Sequence, residues 1–329
     1  MADKIRWGIL GAGNIARKFA TGLQVVAGSE LFAVGSRSID KAQNFAKEFN
    51  IPKAYGSYEE MVKDPEIDVV YVATPHTFHK PHTILCLNNG KAVLCEKPFA
   101  VNAGEAEEMV EAAKKNNLFL MEAMWTRFLP VMYKVKEWIA ADAIGEVRML
   151  TADFGFRANL NPEGRLFNLE LGGGALLDVG VYTISLAYMI FGGAPERITG
   201  IAHIGETGVD EQAAMILGYK NGELAILHTA VRTRTFQEAR IIGTKGSIII
   251  PDFWRATTAN LKVDGKDDEI VEIPFDANGY CYEAREVECC LREGKLQSDL
   301  MPWDESISIL RTMDELRNQW GLKYPSDNN

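Results

Sequence analysis

The 329-residue chain is short of several things, and each shortage removes a class of function. Basic residues are outnumbered, 35 Lys and Arg against 45 Asp and Glu for a net charge of -10. That balance is poor provision for gripping a nucleic-acid backbone or an anionic bilayer, so neither is expected as a partner. Cysteines are few: Cys86, Cys95, Cys281, Cys289 and Cys290 make an odd number without a C-x-x-C pair. Neither a disulfide framework nor a zinc ribbon is indicated, and a reducing cytoplasm fits. The opening MADKIRWGIL lacks the apolar stretch and cleavage site of a signal peptide. The most apolar long run, 175–191, is interrupted by Asp178 and Gly180 and falls short of the ~20 residues that span a bilayer, so it reads as a buried core helix. Internal repeats, low-complexity tracts and Pro/Ser-rich linkers are missing too.

What remains is ordinary globular material, 47% apolar and 24% charged, enough for about two domains at ~150 residues each. Small molecules are the expected partners. Up to about residue 123, short β-rich runs alternate with helix-period segments, the pattern of βαβ units and a parallel sheet. Ile5 to Leu10 reads as a strand, and the helix after it carries Ile15, Phe19 and Leu23 on one face. Ser38 and the Ser57-Tyr58-Glu59-Glu60 capping box start two further helices. Beyond 124 the period changes: long β-rich stretches follow one another, with helices near 174–190, 282–292 and the C-terminus. The expected fold is therefore α/β, a doubly wound parallel sheet over 1–123 followed by an α+β domain over 124–329 on a large, open, mostly antiparallel sheet.

Gly11-Ala12-Gly13-Asn14-Ile15-Ala16 directly follows the first strand and opens the first helix, which is the context that gives G-x-G-x-x-A its meaning. Glycines permit a tight turn and close approach of a pyrophosphate, whose charge meets the helix N-terminus. At the end of the second strand, where an NAD site would place an acid for the ribose hydroxyls, stand Ser36 and Arg37. Hydroxyls and a guanidinium suit a 2′-phosphate, so NADP is expected over NAD.

Cys95-Glu96-Lys97-Pro98-Phe99 lies at the C-terminal end of another strand, the edge where open parallel sheets place ligands. With Thr74-Pro75-His76 after an earlier strand, Trp125-Thr126-Arg127 near the domain boundary, and the run Gly172-Gly173-Gly174-Ala175-Leu176-Leu177-Asp178-Val179-Gly180-Val181-Tyr182, the chain resembles the Gfo/Idh/MocA oxidoreductase family over essentially its whole length. Tyrosine at 182, where many relatives carry histidine, resembles the branch that contains dimeric dihydrodiol dehydrogenase and NADP-dependent aldose dehydrogenases. Ile51 to Glu60, Leu118 to Phe128 and the segment Gly205-Glu206-Thr207-Gly208-Val209-Asp210 add likeness, the first and last without an obvious chemical role. The resemblance implies a Rossmann domain, an open-sheet partner domain, and Thr74, Pro75, His76, Glu96, Trp125 and Arg127 near the coenzyme.

Oxidising a secondary alcohol needs a base for the hydroxyl proton while hydride leaves carbon for the nicotinamide. Free tyrosine, with a pKa near ~10, is a poor base until a neighbouring ammonium stabilises its phenolate. Tyr182 is accordingly read as acid/base, Lys97 as its electrostatic partner, and Asp178, four positions from Tyr182, as the group that orients substrate hydroxyls or Lys97. His79, Phe154, Arg157 and Arg165 are candidate substrate contacts. His76, His79 and His82 form H-x-x-H-x-x-H, but zinc needs three or four converging ligands and this spacing is not a usual one, so no metal is expected. The reading is a dehydrogenase for a small cyclic polyol, aldopyranose or trans-dihydrodiol, acting as a homodimer or higher oligomer. The alternative is a sensor that binds NADP without turnover.

Overall fold

In the computed structural model, which describes residues 4–328, β1 (Ile5–Leu10) runs straight into the glycine loop and α1 (Asn14–Leu23). The alternation continues through β2 (Ser29–Gly35), α2 (Ile39–Phe49), β3 (Lys53–Tyr55), α3 (Tyr58–Val62), β4 (Val69–Val72), α4 (His79–Asn88), β5 (Ala92–Glu96), α5 (Ala103–Asn116) and β6 (Leu120–Ala123). Side chains start two helices as expected: Ser38 Oγ accepts from the Lys41 amide and Ser57 Oγ from the Glu60 amide. The parallel sheet has the order β3-β2-β1-β4-β5-β6. Its winding reverses between β1 and β4, and open α/β sheets take ligands at such a switch, outside the carboxyl ends of the strands. Trp7, Phe19 and Tyr71 are fully buried beneath it, Phe19 stacked on Tyr71 with centroids 3.8 Å apart.

The remaining elements are α6 (Pro130–Ala140), β7 (Val147–Gly155), α7 (Val181–Phe191), β8 (Arg197–Ile204), β9 (Asp210–Gly218), β10 (Leu224–Ala230), β11 (Ala239–Gly243), β12 (Gly246–Ile250), β13 (Thr258–Val263), β14 (Glu269–Glu272), α8 (Cys281–Arg292) and α9 (Trp303–Trp320). The second sheet, β14-β13-β12-β11-β7-β10-β9-β8, is antiparallel except where β7 pairs with β10. Helix α7 covers one face, every residue from Val181 to Tyr188 being buried, while Ile201, Ile216 and Ile226 stand exposed. With the short turns that precede it, the apolar helical stretch runs Leu169–Phe191, longer than the sequence suggests and sufficient by length and composition to cross a membrane. Its most apolar window is 83% buried inside the protein, as a core helix should be.

Packing divides the chain into two compact units. The first comprises the residues up to Ala100, Gly104–Trp125 and Asp276–Ser306; the second comprises Val101–Ala103, Thr126–Phe275 and the residues from Ile307 on. Asp276–Ser306, which sequence order alone assigns to the second domain, thus belongs with the first. Asn278 Nδ2 donates to the Lys18 carbonyl at 2.8 Å, and a Cβ at Gly22 would lie only 2.9 Å from the Cys281 amide, so α8 seats closely on α1.

Candidate active site

The coenzyme end is built within the first unit. Gly11 sits at φ +107°, and a Cβ there would meet the Ala73 carbonyl oxygen at 2.9 Å. Gly13, the N-cap of α1, has no atom of the described residues within 4 Å of where a Cβ would stand. Helix α1 has no side-chain cap and no acid in its first turn, and Gly13 and Asn14 are exposed with Ile15 half-buried beside them. An open, positively polarised helix end with room above its glycine fits a pyrophosphate. Next to it lies a cavity of about 350 Å³ lined by Arg37, Tyr58, Thr74, Pro75, Phe78 and His82 among others. That is the size of a small-ligand pocket. Exposed Arg37 and buried Tyr58 share this lining, and the His82 ring stacks on Phe78 while bonding Thr74 Oγ1 at 3.0 Å. Burial pushes the His82 imidazole down to about 4, so the ring is neutral. Ser36 is buried, its hydroxyl accepting the Ser38 amide at 3.4 Å. From the sequence, Tyr58 stands out only as part of a capping box and His82 only as the last of the histidine triplet, while Phe78 carries no signal.

The Lys97 loop is held from below by a buried polar frame. Glu96 accepts a short hydrogen bond from the Tyr71 hydroxyl, and its other oxygen accepts the Lys97 amide at 3.2 Å. The Phe99 amide donates to Glu122 at 3.1 Å. His79 is fully buried with its ring nitrogens 2.8 Å from the Pro98 carbonyl and 2.9 Å from the Thr74 carbonyl. It clamps two loops together instead of presenting a surface to substrate. His76 is also buried, edge-on to His79, and Lys97 is half-buried. Trp125 stacks on Tyr280 of the returning segment, centroids 4.4 Å apart. Beneath Glu96 lies Glu283 of α8, without exposed surface and with neither carboxylate oxygen hydrogen-bonded among the described residues. Desolvation and the Glu96 charge hold its carboxyl well above the usual range.

The other candidates assemble in the second unit. Asp178 lies in a π-helical turn, Leu176–Gly180, that runs into α7, where Tyr182 is the second residue. Single π turns inside α-helices recur at functional sites. Arg165 donates to Asp178 at 2.9 Å. The Tyr182 ring meets Phe154 edge-on, centroids 5.3 Å apart, and Phe154 stacks on Trp254 at 4.9 Å, forming an aromatic wall beside the phenol. Trp254 escaped the sequence reading because it lies in a short turn without periodicity. Arg127, expected beside the coenzyme, is buried and holds α7: its Nε donates to the Ser185 hydroxyl and an Nη to the Ser185 carbonyl. Arg157 is exposed, with its backbone bridged to Arg232, away from the Asp178–Arg165 pair and the aromatic wall in the contacts it makes.

Comparison with known proteins agrees with both halves. The profile of the oxidoreductase family GFO_IDH_MocA, NAD-binding Rossmann fold, matches residues 5–124, and that of the GFO/IDH/MocA C-terminal domain matches 132–249. Trans-1,2-dihydrobenzene-1,2-diol dehydrogenase of Xenopus tropicalis is 41% identical over 97% of this chain and 99% of its own. The Homo sapiens protein of that name is 39% identical over 98% and 99%. Among solved structures, a 3-ketoreductase from Actinomadura kijaniata in complex with NADP superposes with TM-score 0.87 at 24% identity, covering 97% of this chain and 98% of its own. An aldose-aldose oxidoreductase from Caulobacter crescentus gives 0.88 at 24%, covering 96% and 97%. The chain belongs to the Gfo/Idh/MocA oxidoreductase family and is a nicotinamide-dependent dehydrogenase acting on CH–OH groups.

Proposed function

We propose that the protein is an NADP-dependent dehydrogenase of small cyclic polyols, with trans-dihydrodiols of the benzene type and aldopyranoses as its substrate classes. The observation that carries the reading is the chemistry borne on one buried helical stretch: the Tyr182 phenol against the Phe154–Trp254 wall, and the Asp178 carboxylate paired with Arg165. An aromatic surface suits the apolar face of a ring, while a carboxylate and a guanidinium suit its hydroxyls. Tyr182 takes the hydroxyl proton, Lys97 supplies the positive charge that favours its phenolate, and Asp178 with Arg165 orients the diol. A bound nicotinamide supplies the hydride acceptor. Arg37 and the cavity around Tyr58 and Thr74 support the 2′-phosphate preference.

The exposed row Ile201, Ile216 and Ile226 on the open sheet supports a homodimer, and the five cysteines, all free, support a reducing cytoplasm. The test is to incubate the protein with NADP or NAD and a panel of trans-dihydrodiols, pyranoses and acyclic controls, following the absorbance of reduced nicotinamide. Turnover is expected with cyclic vicinal diols and NADP. Tight coenzyme binding without turnover on any member would overturn the enzyme reading, and a monomer by light scattering would overturn the dimer.

A further inference from the structure

The segment Gly205 to Asp210 has no role in the chemistry above, yet its last residue touches the stretch that carries it. Asp210, first residue of β9, has no exposed surface. Its Oδ2 accepts the Leu176 amide at 2.6 Å. Leu176 opens the π turn, whose own N-cap, Ala175, supplies no side-chain acceptor. The first amides of a helix have no partner within the helix and must find one elsewhere. Here the partner comes from 34 positions further along the chain.

The chain entering the turn is fitted to that carboxyl. Gly174 lies at φ +113°, and a Cβ there would stand 2.2 Å from Asp210 Oδ1, so only glycine lets the two approach. One residue earlier, the Gly173 carbonyl accepts the Tyr324 hydroxyl at 2.5 Å. The third glycine of the Gly172-Gly173-Gly174 run is thereby explained as clearance for a cap. We propose that Asp210 is a positioning residue for the dehydrogenase reaction: by capping the turn at Leu176 it fixes the stretch on which Asp178 and Tyr182 ride. This rests on the assignment of Tyr182 as acid/base.

The charges around Asp210 make the device sensitive to pH. From the C-terminal segment it faces the Tyr324 phenol, itself raised by burial, and Arg317, whose guanidinium is already bonded to Asp314 and Asp327. Beside it on β9, Glu211 is paired with Arg232, and on the turn itself Asp178 is paired with Arg165. No cation is devoted to Asp210 among these groups. Burial pushes its carboxyl up to about 7 against the pull of the backbone amides and Arg317. As pH falls through that value the cap loses its charge, and with it the stronger interaction with a helix N-terminus.

The experiment compares Asp210→Ala, Asp210→Asn and Tyr182→Phe with the wild type, using NADP and trans-1,2-dihydrobenzene-1,2-diol or D-xylose, and follows amide hydrogen exchange of peptides covering 174–186. The alanine variant is expected to exchange faster in that peptide and to lose about 10- to 100-fold in kcat, with the dissociation constant of NADPH unchanged. The asparagine variant keeps an oxygen for the Leu176 amide, so it should restore protection and most of kcat, and its pH profile should lack whatever inflection the Asp210 carboxyl gives the wild type. Wild-type exchange and wild-type kcat in Asp210→Ala would overturn the proposal, as would an Asp210→Asn variant that exchanges as fast and turns over as slowly as Asp210→Ala. If Tyr182→Phe turns over normally while the exchange results hold, the acid/base assignment fails and the capping role stands.

Discussion

Replacing Gly13 by alanine separates coenzyme binding from folding. The residue has φ −89° and ψ −172°, an extended conformation open to any amino acid, and its Cβ would meet no atom of the described residues within 4 Å. Alanine is a poorer N-cap than glycine by about 0.5–1 kcal/mol. It also removes about 0.4–1 kcal/mol of unfolded-state entropy, so the two effects offset one another to within about 1 kcal/mol. In the proposed coenzyme site the added methyl stands where a pyrophosphate would come to reach the uncapped amides of α1. Losing one charge-assisted hydrogen bond costs about 1.5–3 kcal/mol, which weakens binding by about 10- to 100-fold. NADPH fluorescence titration beside a thermal melt reads both quantities. Gly11→Ala is the contrast: at φ +107° with the Ala73 carbonyl 2.9 Å away, it must strain the loop, and its melting temperature should fall. Unaltered NADPH affinity in Gly13→Ala, or a melting temperature as low as that of Gly11→Ala, would refute the assignment of this loop to the pyrophosphate.

Arg37→Ala should cut the preference for NADP over NAD about tenfold or more by removing a charge-assisted contact to the 2′-phosphate, checked by titrating both coenzymes; equal ratios in variant and wild type would remove the argument. Tyr182→Phe and Lys97→Met should each lower kcat by about 10²–10⁴-fold with NADPH binding retained, measured by steady-state kinetics and titration. Glu283→Gln addresses stability. The raised carboxyl binds a proton in the folded state that the unfolded chain, with an ordinary value of 4.5, has released, so wild-type stability falls as pH rises above that value. Glutamine abolishes the linkage, and the melting temperature of the variant relative to wild type should rise steadily from acid to neutral pH.

Features read correctly from the sequence depend on neighbours within about one turn. The glycine loop follows its strand, and Ser38 and Ser57 each cap a helix through an amide three residues on. Helix α6 begins at Pro130, which reads as a breaker unless it is placed at the first helical position, where a missing amide costs nothing. Strands β3 and β12, three and five residues long, carry too little pattern to declare themselves. What the sequence hides are partnerships that only folding creates. Glu283 lies beneath Glu96 because α8 returns to the first unit, and Arg127 is bound to Ser185 because α7 brings that carbonyl within reach. Asp210 shows the limit most clearly. As a letter in Thr207-Gly208-Val209-Asp210 it looks like a turn acid, since aspartate favours turns and helix starts alike. Its meaning appears only with the strand register that sets it under Leu176 and with the positive φ at Gly174 that clears its path. The cap exists only once β9 and the start of the π turn are both in place, which ties the geometry of the Tyr182 stretch to the folding of its own sheet.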